Sequence, residues 1–253
     1  MTVSTFAAAQ CSVLPGDLTD NIRRHLAFMR AAHGLGVQCL VFPELSLTGY
    51  ELELADALAQ TPDTSLLAPL RAYAREARMT TVVGLPLRAG QLGKPRIAAF
   101  VLHADGTSSV HTKQHLHTGE DRHVDAGAGG PLLAAGGLPV ALAVCADFAQ
   151  PTHVAAAAQA GARLYAVSVL IGNDGYPADS AILQGHAARH RIAVLMANHG
   201  GPTGGWASAG RSAFWDEDGA LVAAADGPGD RLLVVSHSNR RWQGRCEAVD
   251  VDR

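Results

Sequence analysis

The sequence predicts an α/β fold with mixed sheets, held in one domain. Apolar segments of strand length alternate with helical patterns from one end of the chain to the other, which suggests layered sheets covered by helices. Two Asp-Gly pairs, Asp105-Gly106 and Asp218-Gly219, lie between strand-like runs and signal hairpins, so the strands are not all parallel. No Ser/Gly/Pro-rich linker divides the chain, and no repeat runs through it.

The elements follow in order. Val3–Gln10 reads as a strand. Asp20–His33 reads as an amphipathic helix, with Ile22, Leu26 and Met29 on one stripe, Arg23, Arg24 and Arg30 off it, and Gly34 as its stop. Val37–Phe42 is a short strand stopped by Pro43. Ser65–Arg78 is helical, Thr80–Leu85 is a strand, and Ile97–His103 with Ser108–Thr112 forms the first hairpin. Val140–Val144 is a strand, followed by an Ala-rich helix at Thr152–Ala160 that closes at Gly161. Leu164–Leu170, Ala178–His190 and Ile192–Ala197 read as strand, helix and strand. Ala213–Trp215 and Ala220–Ala224 form the second hairpin, and Arg231–Ser236 ends the regular pattern. The tail from His237 to Arg253 is polar, with Trp242 as its one large aromatic residue.

Composition narrows the function classes. The chain has 253 residues, of which 48% are hydrophobic and 17% charged, and a formal net charge of −3. Average usage is roughly 25% charged, so this chain is lean in charge and has enough apolar residues for a large core. Nothing in it resembles a nucleic-acid groove. Apolar runs are broken well before the roughly 20 residues a membrane helix needs, and Met1 to Gln10 lacks the basic start of a signal peptide. A soluble cytoplasmic protein is the expectation. Cys11, Cys39, Cys145 and Cys246 are widely spaced without a CxxC, which predicts free thiols. Of the 20 basic residues only two, Lys94 and Lys113, are lysine, so each of these raises the question of why it is there.

The glycine fingerprints of dinucleotide and phosphate sites are missing, as is the GxSxG nucleophile elbow. Three strand ends carry reactive residues instead. Glu44 lies in Phe42–Tyr50, FPELSLTGY, directly after an apolar strand. Lys113 follows Ser108–Thr112, and Cys145 follows Val140–Val144. Each has an ordinary reading on its own: a solvated loop Glu, a surface Lys, a packed core thiol. Cys145 also has a reactive one, because a thiol at the start of a helix and near an ammonium is driven toward thiolate.

Taken together, Glu, Lys and Cys in that order at strand ends resemble the nitrilase, or carbon–nitrogen hydrolase, superfamily over nearly the whole chain. Ala7-Ala8-Ala9-Gln10 with Gly16-Asp17 and Asn21 is similar to its first strand and helix. FPELSLTGY is similar to its Glu motif, Lys113-Gln114-His115-Leu116 with Glu120 to its KxHLxxGE segment, and Cys145-Ala146-Asp147 to its CxD motif. Asn198 and the Gly210–Gly219 stretch fall where the family has late strands.

The resemblance implies a four-layer αββα sandwich, with the His237–Arg253 tail at Trp242 available for a subunit contact, and an amidase-type hydrolase. In it Cys145 is the nucleophile, Glu44 the general base, Lys113 the oxyanion partner with the Ala146 N–H, and Glu120 the second carboxylate. Asp147, His115, Tyr50 and Asn198 become candidates for the substrate pocket or oxyanion site. No metal or organic cofactor is implied. The implied partner is a small amide, ω-amide or carbamoyl substrate, with homodimers or larger homo-oligomers usual for the family.

The sequence also departs from the family's common pattern. Ala146 stands where an aromatic is common, which predicts a roomier pocket. Phe148–Thr152 lacks the usual Arg and Glu, His111-Thr112 replaces Tyr-Arg, and His199 follows Asn198. Nitrile hydrolysis and acyl transfer remain alternatives at the same site, as does a non-catalytic protein on the same fold. Metal binding by the crowd of His111, His115, His117 and His123 with Glu120 and Asp121 is a further alternative.

Overall fold

Every residue of Ser4–Gln10 is buried, yet its side chains divide between two cores: Phe6 and Ala8 face one way, Ala7 and Ala9 the other. That period of two, in a strand apolar on both faces, places it inside a layered fold. The computed structural model describes residues 3–90 and 92–251, so the first two residues of the chain and the last two of the predicted tail lie outside the described residues.

The first half runs β1 (Ser4–Gln10), α1 (Leu18–Gly34), β2 (Cys39–Val41), α2 (Ala55–Leu58), α3 (Ala68–Glu76), β3 (Thr80–Leu87), β4 (Arg96–Leu102) and β5 (Ser108–Thr112). The second runs β6 (Leu133–Ala135), β7 (Leu138–Val144), α4 (Pro151–Gln159), β8 (Leu164–Val169), α5 (Tyr176–His190), β9 (Ala193–Asn198), β10 (Ala213–Trp215), β11 (Leu221–Ala224), β12 (Arg231–Ser238) and β13 (Arg241–Ala248). One sheet has the order β13-β12-β1-β2-β3-β4-β5 and the other β11-β10-β9-β8-β7-β6. In each, three neighbouring parallel strands (β1-β2-β3 and β7-β8-β9) are flanked by antiparallel ones, so the sheets are mixed as predicted.

Three apolar cores follow from the alternation. Phe6, Ala8, Val41 and Val82 of the first sheet meet Leu142, Val144, Ala166, Leu195 and Phe214 of the second in the central layer. Phe28, Met29 and Ala32 of α1, with Leu70 and Ala74 of α3, cover the outer face of the first sheet. Val154 and Ala157 of α4, with Leu183 and Ala187 of α5, cover that of the second. The result is the four-layer αββα arrangement.

Several elements differ from the sequence reading. The buried stripe of α1 runs through Asn21, His25, Phe28, Met29 and Ala32, with Ile22 and Leu26 only partly covered. Two polar residues face inward because each has partners there. Asn21 bonds the carbonyls of Leu14 and Leu47, and His25 Nε2 lies 2.9 Å from Ser46 Oγ. The helix expected over Ser65–Arg78 begins as a 3₁₀ turn, Ser65–Leu67, before α3. The His237–Arg253 tail contains regular structure: β12 extends to Ser238, and β13 returns beside it as the exposed edge of the first sheet. Its Trp242 is half-buried, packed against Phe214 and His237 at ring-centroid distances of 4.6 Å. No helix among the described residues is long and apolar enough to cross a membrane.

Candidate active site

The ends of β2, β5 and β7 converge, and each delivers one side chain. Glu44 leaves the first sheet two residues after Phe42, whose N–H still pairs with Val82 O. Its loop is fixed from both sides. Leu45 takes a left-handed φ of 50°, Ser46 Oγ accepts from Gly84 N at 3.1 Å, and Leu47 N donates to Gly84 O at 3.0 Å. From the second sheet His199 Nε2 donates to Glu44 O at 2.7 Å. Burial holds the His199 pKa down at about 4, so this ring is neutral.

Lys113 is fully buried, and its Nζ donates to Glu44 Oε1 at 2.7 Å and to Glu120 Oε1 at 2.6 Å. Glu120 is gripped further: Tyr50 OH donates to its Oε1 at 2.5 Å and His117 N to its Oε2 at 2.8 Å. One ammonium thus sits between two buried carboxylates. Burial alone would discharge Lys113, but the charges of Glu44 and Glu120 override it and hold its pKa above the ordinary lysine range. Burial raises Glu44 to about 7 against the opposing pull of Lys113, with the Glu120 charge adding to the rise.

Cys145 is the first residue of a short 3₁₀ turn, Cys145–Ala149, and has a left-handed φ of 44°. A side chain other than glycine rarely adopts that conformation, and such strain concentrates at functional sites. Glu44, Lys113 and the Leu170 backbone N–H all lie close enough to act on the Cys145 thiol. Glu44 Oε2, fully buried, has no hydrogen-bond partner among the described residues. The expectation of a thiol driven toward thiolate is not met. Burial and the Glu44 charge raise the Cys145 pKa far above its ordinary value, outweighing Lys113.

A cavity of about 250 Å³ opens onto Cys145, walled by Tyr50, His117, Ala146, Phe148, Asp179 and Trp206 among others. Residues 5–241 match the carbon–nitrogen hydrolase family. The chain belongs to that family.

Solved relatives of this hydrolase agree with the fold. A Glu-to-Gln, Cys-to-Ala double mutant of the amidase from Nesterenkonia sp. AN1 in complex with acrylamide is 26% identical and superposes with a TM-score of 0.82, covering 94% of this chain and 92% of that one. A Cys-to-Ala mutant of the same amidase with butyramide is 28% identical, with a TM-score of 0.82 over 94% and 92% of the chains. A third shows the acetamide moiety of fluoroacetamide added covalently at the active-site cysteine, at 27% identity and a TM-score of 0.81 over 92% and 90%. Among curated proteins, the glutamine-dependent NAD(+) synthetase of Mycobacterium leprae is 31% identical over 83% of this chain, and that of Mycobacterium tuberculosis is 30% identical over the same share. The match spans 35% of those relatives, about a third of their length.

The remaining candidates divide. Tyr50 and Ala146 line the cavity of the hydrolase. Asp147 does not: it is fully buried and ties the two sheets' strand ends together, its Oδ1 accepting from Gln114 N and His115 N and its Oδ2 from Val144 N. His115 lines a separate, larger cavity of about 460 Å³ that excludes Cys145. Asn198 is spent on backbone, its Oδ1 accepting from Ile171 N and its Nδ2 donating to the carbonyls of Ile171 and Gly210. It braces the segment from which Leu170 and Ile171 reach the cavity wall and does not itself line the cavity. The sequence reading noted His199 only as a departure beside Asn198 and named neither Asp179 nor Trp206.

Proposed function

We propose that the chain is an amidase-type hydrolase that cleaves the C–N bond of a small amide through a thioester on Cys145. The observation that carries this reading is the Cys145 thiol in the wall of a cavity, close to Glu44, a buried carboxyl raised to about 7. A carboxyl near that pKa can take a proton and return it at neutral pH. Glu44 takes the thiol proton as sulfur attacks the amide carbonyl carbon. Lys113 has three N–H donors, two already engaged by carboxylates, and the third is free for the developing oxyanion. The tetrahedral adduct collapses, Glu44 returns its proton to the leaving nitrogen, and ammonia or an amine departs. Glu44 then deprotonates a water that attacks the thioester, and the acid leaves as the thiol is restored. Glu120, held by Tyr50 and His117 N, keeps Lys113 in place.

The cavity volume favours a short acyl group, and the solved relatives hold acrylamide and butyramide. An ω-amide that also carries an ammonium, such as glutamine, is a second reading. It is favoured by the Asp179 carboxylate in the cavity wall and by the glutamine-dependent relatives. Ammonia release from butyramide, acrylamide and glutamine, with intact-mass detection of an acyl adduct, tests both. We expect turnover of at least one amide, its loss in Cys145→Ala, and an acyl adduct on wild-type Cys145 that forms far more slowly in Glu44→Gln. Neither ammonia nor adduct from any of them would overturn the proposal. Preference for glutamine that disappears in Asp179→Asn would decide for the second reading.

A further inference from the structure

We propose that His111, Asp147 and His153 form a site for one divalent transition-metal ion of the zinc class, outside the catalytic cavity. The three side chains come from β5, from the turn after β7 and from the first turn of α4, and one ligand atom of each lies within 4.8 Å of the others. All are buried, with His111 5% exposed, Asp147 0% and the His153 side chain 7%. Metals of this class favour two imidazoles and a carboxylate with a position left for water.

Unspent hydrogen-bonding capacity points the same way. Both ring nitrogens of His111 and Nε2 of His153 are buried without a partner. Buried polar atoms are nearly always satisfied, so three orphans in one cluster require an explanation. His153 Nε2 stands 3.8 Å from Asp147 Oδ2, too far for a hydrogen bond. Two ligands of a tetrahedral zinc ion sit about 3.3 Å apart, so a shift of a few tenths of an ångström would seat both. His153 Nδ1 lies 2.8 Å from Tyr165 Oη, and with Nδ1 as donor the Nε2 lone pair faces the cluster. An outer bond of that kind is the usual way a metal-binding imidazole is oriented. Asp147 Oδ1 is occupied by Gln114 N, His115 N and His115 Nδ1, whereas Oδ2 accepts only from Val144 N. One lone pair on Oδ2 remains. His111 and His153 also border the cavity of about 460 Å³, which gives the ion a route in and room for a water.

The crowd of histidines visible in the sequence is therefore sorted by the fold. His117 turns to the catalytic cavity, His115 to the outer one, and the third ligand comes from α4, 42 positions beyond His111 by sequence number. A bound ion would clamp β5, β7 and α4 around the turn that carries Cys145.

Titration of the untagged, metal-free chain with Co²⁺, followed by visible absorption, tests the site. The expected result is one equivalent per chain, with d–d bands of a four- or five-coordinate ion and no thiolate charge-transfer band. The same spectrum is expected in Cys145→Ala. His111→Gln and His153→Gln, each checked by circular dichroism for folding, should weaken binding at least tenfold. Should either variant fail to fold, a Zn²⁺-dependent rise in the wild-type melting temperature that His115→Gln retains keeps the test open. A thiolate band that vanishes in Cys145→Ala, binding unchanged in both folded histidine variants, or no stoichiometric uptake would each overturn the proposal.

Discussion

Glu44 is asked to be a base, yet the fold that positions it also makes it a weak acid. With a folded pKa of about 7 and an ordinary value of 4.5, the folded chain holds more protons than the unfolded chain between those pH values. The Glu44 contribution to stability is therefore most favourable below about pH 4.5 and is lost as pH rises to 7, a change on the order of 3 kcal/mol. Catalysis runs the other way, because only the ionised carboxylate takes the thiol proton. We expect kcat/KM to rise through an acid limb near pH 7, an apparent value that belongs to the coupled Glu44–Lys113–Glu120–Cys145 group. In Glu44→Gln activity should fall about 10²–10⁴-fold, and the stability difference from wild type should narrow or reverse from pH 5 to 8 in urea titrations. An acid limb near 4.5 would show that burial does not perturb the base. The raised thiol pKa adds that iodoacetamide labelling of Cys145 should depend on Glu44, slowing in the same variant.

Individual loops hold these side chains to their geometry, and the Glu44 loop shows how little slack there is. A Cβ on Gly84 of β3 would lie 2.2 Å from Leu45 N and 2.7 Å from Pro43 O, both backbone atoms. Gly84→Ala must therefore push the Glu44 loop off the sheet, an overpacking that costs about 1–3 kcal/mol. It should lower the melting temperature and kcat together. Gly185, inside α5, is the counterpart: a Cβ there meets nothing within 4 Å. Gly185→Ala should stabilise by about 0.4–1 kcal/mol and leave kcat alone. Differential scanning calorimetry with ammonia-release kinetics on both variants checks the pair. The same elements show what was legible in the sequence. Glu44 and Cys145 could be found because each follows a visible apolar run, and Lys113 because it is one of two lysines and stands at the end of a hairpin strand. His199 could not be assigned a role, since its partner Glu44 lies 155 positions away and only the stacking of two sheets joins them. Strand β6 spans three residues, too few to show a period. Strand β13 was hidden for another reason: almost all of it faces solvent, so no alternation of apolar and polar residues marks it.

The two sheets of the sandwich are held at one end by a residue that looked like part of a loose tail. Trp242 on β13 of the first sheet packs on Phe214 of the second and on Phe6 of the central core, and its Nε1 donates to Glu217 Oε2 at 2.8 Å, beside the β10–β11 hairpin. An exposed edge strand with arginines and a glutamate on its surface has little else to keep it in register. Trp242 is half-buried, so Trp242→Ala should cost less than the roughly 3–5 kcal/mol of a fully buried tryptophan, about 2 kcal/mol. For a chain of this size that corresponds to a fall of about 4–8 °C in melting temperature. Trp242 does not line the cavity at Cys145, so the folded variant should keep wild-type kcat/KM. Urea unfolding monitored by circular dichroism, with kinetics measured well below the transition, separates the two effects. If kcat/KM fell in step with stability, the far edge of the sandwich would be coupled to the catalytic strand ends, and the picture of one sheet interface with independent ends would have to be given up.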